Sequence, residues 1–186
     1  GMKIELIILN KPSQMKITFT LSIILLFSLS LSAQDGIKSM FSEKKLPDVE
    51  ITDLYGEKVN VADYGSNGKI TVMNFWATWC SPCKEELSNI DMMYEDWQDL
   101  YDMELVAVSI DDSRNAQKVK TEVEGKGWSY IVLLDSNQDL KRSLNFQTVP
   151  YTVVVDQEGN IVHTHIGYSQ GDEYHLEDKL AELAGK

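Results

Sequence analysis

The chain has 186 residues and a formal net charge of −12 at neutral pH. With 43% hydrophobic and 25% charged side chains, its composition is that of one globular domain with a substantial core. The acidic balance argues against a nucleic-acid partner, because neutralising phosphate groups requires clustered lysine and arginine. The two cysteines are too few for the framework of many disulfides that stabilises small exported domains.

The N-terminal segment has the pattern of an export signal. Lys16 precedes an apolar stretch that ends in the small residue Ala33. We therefore expect residues 1–33 to comprise an N-terminal extension and a signal peptide cleaved after Ala33, which places the protein in the periplasm or another extracytoplasmic compartment. An uncleaved membrane anchor is the alternative. Residues 34–45 are polar and are predicted to be a tether, and residues 46–186 the folded domain.

Strands and helices alternate along the predicted domain. Two short strands on either side of Tyr55 and Gly56 form a hairpin, and the apolar run over 69–77 is a buried strand. The later elements are a helix over 82–102, a strand over 103–110, a helix ending at 125, a strand over 128–135, a short helix over 139–145, strands over 151–156 and 160–167, and a helix over 173–184. This order predicts an α/β fold with a central mixed sheet flanked by helices.

Both cysteines lie in one C-x-x-C pair, Cys80 and Cys83, between the predicted buried strand and the first long helix. A structural zinc site normally takes four cysteine or histidine ligands, and the other candidates here are the distant residues His163, His165 and His175. We therefore expect no metal. Two buried core thiols are a second interpretation, and a redox-active dithiol is the third.

The position of the pair favours the dithiol. Pro82 fits the first turn of a helix, which places Cys80 at the helix N-cap, where free N–H groups and the helix dipole stabilise a thiolate. Cys80 is then the attacking nucleophile with a lowered pKa, and Cys83, one turn later, is the resolving thiol. Lys84 adds positive charge near the pair, and Trp79 lies beside the nucleophile as a candidate cover.

The stretch MNFWATWCSPCKEEL resembles the active-site segment of the thioredoxin superfamily. Asn74 and Thr78 make it most similar to the exported TlpA/ResA-type thiol-disulfide oxidoreductases of the redoxin, or AhpC/TSA-like, branch. The resemblance covers residues 46–184. It implies a three-layer thioredoxin fold with an added N-terminal β-hairpin, a redox-active disulfide between Cys80 and Cys83, and no cofactor.

The resemblance also bears on proton handling. Thioredoxins have a buried aspartate where this chain has Asn74, and an amide cannot accept the proton of the resolving thiol. Some members of the TlpA/ResA branch use an acidic residue after the next strand, which makes Asp112 the candidate acceptor. Its alternative role is helix capping together with Asp111. Glu85 and Glu86 are expected to be exposed residues of the first helical turn.

A second matching position lies far downstream. Pro150 corresponds to the cis-proline of the family, which faces the cysteines and lets the preceding backbone, here Val149, pair with an extended substrate peptide. Val149 and Pro150 are therefore the predicted substrate-binding residues.

The function implied is a thiol-disulfide oxidoreductase that acts on exported proteins and serves cell redox homeostasis, with reduction as the expected direction. Its expected electron donor is a membrane thiol protein of the DsbD/CcdA kind. Apocytochrome c is one candidate substrate, which would give the protein a role in cytochrome c maturation. We expect the protein to be a monomer. A peroxiredoxin-like peroxidase and a redox-independent binding module or holdase are the two alternatives.

Overall fold

A computed structural model of the chain describes residues 44–186. The predicted signal peptide and nearly all of the predicted tether lie outside the described residues. Within the part that is described, no helix is both long and apolar enough to cross a lipid bilayer.

The described residues form seven strands, four α-helices and two short 3-10 helices. The strands are β1 (Glu50–Asp53), β2 (Lys58–Asn60), β3 (Ile70–Trp76), β4 (Met103–Ser109), β5 (Ile131–Leu134), β6 (Tyr151–Val155) and β7 (Ile161–Ile166). The α-helices are α1 (Ser81–Tyr101), α2 (Ala116–Lys126), α3 (Asp139–Leu144) and α4 (Asp172–Leu183). The 3-10 helices span Val61–Gly65 and Ser113–Asn115.

All seven strands belong to one mixed sheet, in the order β2-β1-β5-β4-β3-β6-β7. Strands β3, β4 and β5 run parallel, as expected for strands joined by crossover helices, whereas β6 pairs antiparallel with both of its neighbours, β3 and β7. The predicted hairpin, β1 and β2, extends the sheet by antiparallel pairing of Thr52 with Leu134 in β5. The mixed sheet flanked by helices and the added hairpin confirm the predicted three-layer thioredoxin fold.

Burial explains why β3 is the centre of the fold. All seven of its residues are buried, since the strand is paired on both edges and covered on both faces. Helix α1 packs a stripe of side chains against the core at steps of three and four residues: Cys83, Leu87, Ile90, Tyr94 and Trp97. The end of β3 and the start of α1 are therefore both fixed by packing.

Two predicted boundaries differ from those in the structure. The strand predicted over 128–135 begins at Ile131, because Trp128 and Tyr130 stack on each other in the preceding loop, where Trp128 also packs edge-on against Trp76. The helix predicted to end at 125 consists of two elements in the structure, a 3-10 turn followed by α2. At the end of the predicted tether, the Lys44 carbonyl accepts a hydrogen bond from the backbone N of Ile161 at 2.7 Å.

The turn between β6 and β7 provides a test of packing. Gly159 has a φ of +83°, and a Cβ added there would lie 2.1 Å from the carbonyl oxygen of Gly65. Gly56 has a similar φ of +89° with no atom within 4 Å of such a Cβ.

We expect Gly56→Ala to lower the free energy of unfolding by about 1 kcal/mol through backbone strain alone, and Gly159→Ala to lower it by about 2 kcal/mol more through overpacking. Urea denaturation of both variants measures the difference, and equal losses would contradict the predicted clash.

Candidate active site

Cys80 and Cys83 lie where β3 leads into α1 and form a disulfide, with their Cα atoms 5.4 Å apart. Cys80 is the N-cap residue of the helix, and its Sγ accepts a hydrogen bond from the backbone N of Cys83 at 3.3 Å. The side chain of Cys83 is fully buried, and Cys80 is 5% exposed. Cys80 is therefore the more exposed of the two cysteines, which agrees with its predicted role as the nucleophile.

The N-terminal end of α1, where the helix dipole is positive, lies at Cys80. Pro82 lies in this turn, where a missing N–H breaks no hydrogen bond, and the remaining free N–H groups stabilise negative charge at the N-cap. Lys84, which was expected to add positive charge near the dithiol, has its Nζ 3.6 Å from Glu122 Oε1 on α2. Its positive charge is therefore shared with a carboxylate.

A buried carboxylate holds the loop that precedes Cys80. Asp111 accepts hydrogen bonds from the backbone N and the hydroxyl of Thr78, each at 2.8 Å, and from the hydroxyl of Ser109 at 2.9 Å. Asp111 was expected to cap a helix, but it is 4% exposed and ties the loop after β3 to the end of β4.

Asp112 is the residue that caps the following 3-10 helix. Its Oδ1 accepts a hydrogen bond from the backbone N of Arg114 at 3.1 Å, and its carboxylate pairs with the Arg114 guanidinium. Hydrogen bonding to that guanidinium lowers the pKa of Asp112. The contacts of Asp112 are therefore those of the capping role.

Trp79, the candidate cover of the nucleophile, is exposed and not buried over the disulfide. Its side chain is 68% exposed, and it lines an open cleft of about 830 Å³ that also includes Lys118 and Glu122 of α2. Trp79 thus presents a large apolar surface to solvent immediately before Cys80.

The loop before β6 lies at the same end of the sheet as the cysteines, because Tyr151 pairs with Phe75 near the end of β3. The Val149–Pro150 peptide bond is cis, as the resemblance implied. Pro150 is buried, its carbonyl accepts a hydrogen bond from the backbone N of Gly167 at 2.8 Å, and Val149 is half-buried. The structure therefore fixes this loop beside the site on the side opposite β4.

The acidic residue nearest in sequence to Cys83 on the buried face of α1 is Glu86. It was expected to be exposed, but it is only 4% exposed. Its Oε1 accepts a hydrogen bond from the Thr152 hydroxyl at 3.1 Å, and Thr152 Oγ1 in turn accepts one from Asn74 Nδ2 at 2.9 Å. Among the described residues, Glu86 Oε2 has no hydrogen-bond partner. Residues three apart on a helix are neighbours, so this free oxygen belongs to a carboxyl next to Cys83.

Burial raises the pKa of Glu86 to about 7. The carboxylates of Asp172 and Glu173 add to the rise, whereas the amide of Asn74 and the hydroxyl of Thr152 lower the pKa in part. Glu86 is therefore present in both protonation states at neutral pH. A carboxyl with a pKa close to the working pH is well suited to accept and return a proton.

The spacing of residues along α1 could have predicted the burial of Glu86, although its charge favoured an exposed position. Glu86 lies three residues after Cys83 and four before Ile90, on the same stripe as the buried residues of α1. Asp111 carried no comparable signal, because its partner Thr78 is 33 residues away in sequence. The described residues contain no group of three or more His, Cys, Asp or Glu side chains placed to hold a metal ion.

Comparison with known proteins decides the family. A model of the AhpC/TSA family matches residues 43–164. The chain belongs to the AhpC/TSA family. The thiol-disulfide oxidoreductase ResA of Bacillus anthracis is 30% identical to this AhpC/TSA protein over 124 residues, which cover 67% of this chain and 69% of ResA.

Solved structures agree with this family. The solution structure of an uncharacterized thioredoxin-like protein from Porphyromonas gingivalis is 44% identical with a TM-score of 0.68, covering 75% of this chain and 92% of that one. The crystal structure of StoA from Bacillus subtilis is 25% identical with a TM-score of 0.57, covering 70% and 98%. With the Cys80–Cys83 pair, these matches confirm a TlpA/ResA-like member of the thioredoxin superfamily and a thiol-disulfide oxidoreductase.

The raised pKa of Glu86 predicts a pH-dependent stability. The folded protein keeps the Glu86 proton up to about pH 7, whereas a glutamate in the unfolded chain releases it near its ordinary value of 4.5. The neutral carboxyl therefore favours the folded state below pH 4.5, and this contribution is lost as the pH rises through 7. We expect Glu86→Gln to raise the free energy of unfolding of the oxidised protein by about 3 kcal/mol at pH 8 and to leave it unchanged at pH 4.

Urea denaturation at several pH values measures this difference. Glu85→Gln, at the exposed neighbouring position, is the matched control and should show no such pH dependence. A constant difference between Glu86→Gln and wild type from pH 4 to pH 8 would show that the pKa of Glu86 is not raised.

Proposed function

We propose that this protein reduces disulfides of exported proteins by thiol-disulfide exchange. The observation that carries the proposal is the position of Cys80 at the N-cap of α1 with its partner Cys83 buried one turn later. This arrangement favours a thiolate on Cys80 and keeps Cys83 protonated until it is needed.

The exchange proceeds in two displacement steps. The Cys80 thiolate attacks one sulfur of the substrate disulfide, the substrate S–S bond breaks, and the first substrate thiolate leaves. Cys83 then loses its proton and attacks Cys80 Sγ, which forms the Cys80–Cys83 disulfide and releases the second substrate thiolate. The substrate gains the two electrons that the dithiol loses.

We assign the proton of Cys83 to Glu86 in preference to Asp112. Glu86 is buried one helical turn from Cys83 and has a free carboxyl oxygen, whereas the carboxylate of Asp112 is occupied by Arg114. Asn74 then acts through Thr152, which it holds in place to donate to Glu86.

Substrate binding is proposed for the surfaces on either side of the pair. The exposed ring of Trp79 offers apolar contact, and the half-buried Val149 before cis-Pro150 offers backbone groups to an extended peptide. This mode of binding recognises extended chain near a disulfide with little demand on the side chains of the substrate.

The cellular setting is also a proposal. The apolar segment ending at Ala33 supports export to the periplasm or another extracytoplasmic compartment, after which the protein acts as a monomer. A reductase in an oxidising compartment needs a supply of electrons, for which a membrane thiol protein of the DsbD/CcdA kind is the proposed donor. Apocytochrome c is a proposed substrate.

Cysteine variants test the proposed reaction. In a chemically reduced sample we expect Cys80→Ser to abolish the reduction of insulin, since the nucleophile is lost. Cys83→Ser should accumulate a mixed disulfide between Cys80 and the substrate, because no resolving thiol remains. Gel electrophoresis without reductant detects the mixed disulfide.

The same samples distinguish the alternative functions. Insulin reduction by Cys80→Ser at the wild-type rate would rule out the proposed mechanism. Peroxide consumption by the reduced wild type in the absence of any disulfide reduction would instead identify a peroxidase. Binding of unfolded protein that persists in the double serine variant, with no reductase activity in wild type, would identify a holdase.

A further inference from the structure

A pocket of about 150 Å³ opens beside Glu86, between helices α1 and α4 and strands β6 and β7. Glu86 and Thr152 form part of its wall. The rest includes all three histidines of the chain together with two carboxylates: His163, His165, His175, Asp172 and Glu173. The disulfide exchange proposed above uses none of these five residues.

The sheet register aligns this pocket with the buried network. Asn74 on β3 pairs with Thr152 on β6, and Thr152 pairs with His165 on β7. Side chains of directly opposite residues lie on the same face of a sheet, with Cβ atoms about 5 Å apart. A polar row therefore crosses three neighbouring strands, from the strand that leads to the cysteines to the last strand of the described sheet.

His165 is the member of this row that reaches solvent. It is partly exposed, and its Nε2 lies 3.3 Å from Asp172 Oδ2 at the start of α4. A carboxylate at this distance orients the imidazole ring. His165 can thus take a proton from the pocket side and release it to water.

We propose that His165, oriented by Asp172, carries protons between Glu86 and solvent through this pocket. The proposal rests on the proposed thiol-disulfide exchange. When Cys83 attacks the mixed disulfide, its proton passes to Glu86 Oε2. The proton then moves to the imidazole of His165 and from there to water, which returns Glu86 to the carboxylate. No electrons are transferred in these proton steps, so the balance of the disulfide exchange is unchanged.

The charges around the pocket are consistent with this direction of transfer. Helix α4 contributes Asp172, Glu173 and His175, and strand β7 contributes His163 and His165. Glu173 is engaged by hydrogen bonds from the Tyr168 hydroxyl and the backbone N of Gly171. Burial lowers the pKa of His163, and the charges of Lys179 and His165 lower it further. His163 thus favours its neutral form, whereas His165 has a carboxylate partner.

Variants of His165 test the proposal in the full chain. Reduced protein is mixed with a labelled peptide disulfide, and quenched samples give separate rates for mixed-disulfide formation and for its resolution. We expect His165→Ala to slow resolution at pH 7 by about tenfold while Cys80 forms the mixed disulfide at the wild-type rate, because molecules in which Glu86 is protonated must first release that proton through His165. Added imidazole should restore the rate of resolution in His165→Ala. Without added imidazole, the change in the resolution rate around pH 7 should be weaker in His165→Ala than in wild type.

His165→Gln keeps a polar side chain beside Asp172 but cannot carry a proton, so it should slow resolution as His165→Ala does. The matched control is Thr164→Ala, at the exposed neighbour on the other face of β7, which should leave both rates unchanged. Resolution at the wild-type rate in His165→Gln would overturn the proposal. So would a slow His165→Ala that imidazole does not restore, because that result indicates a structural role. If wild type fails to reduce the peptide at all, the proposed function is wrong and this inference with it.

Discussion

A carboxyl group buried one helical turn from a disulfide is the constraint on which this active site depends. Removing Glu86 from water disfavours its charged form, and the hydrogen bond from Thr152 offsets only part of that cost, so its pKa lies near neutrality. The fold tolerates this because β3, β6 and α1 supply the polar contacts within an otherwise apolar core. The proposed proton exchange between Cys83 and Glu86 would then occur away from bulk water.

The remainder of the site keeps the cysteines and this carboxyl in a fixed relation. The buried strand β3 and the buried stripe of α1 fix the junction at Cys80. Asp111 binds the loop before Cys80 at Thr78, and the cis-Pro150 loop is held to the end of β7 through Gly167. The proposed thiol chemistry at the cysteines and the proposed proton chemistry at Glu86 are thereby joined through one helical turn.

The sequence was sufficient for the features that depend on local pattern. The apolar run of β3, the C-x-x-C spacing and Pro82 placed the dithiol at a helix N-terminus, and the order of elements predicted the sheet. Glu86 was misjudged because glutamates in a first helical turn are usually exposed, and its partner Thr152 is 66 residues away. Asp111 was misjudged because an aspartate after a strand commonly caps the next helix, and its partner Thr78 is 33 residues away. Buried polar contacts between distant segments depend on tertiary packing, which local propensity does not encode.

The coupling between Glu86 and the dithiol can be measured most directly as the pH dependence of the reduction potential of the Cys80–Cys83 pair. The negative charge of the Cys80 thiolate disfavours the carboxylate form of Glu86, so reduction above pH 7 should take up an additional proton in wild type and none in Glu86→Gln. The potential of wild type should then fall more steeply with pH, by about 30 mV per pH unit for one extra proton in a two-electron reaction. Parallel plots for the two proteins would contradict any role of Glu86 in the redox chemistry.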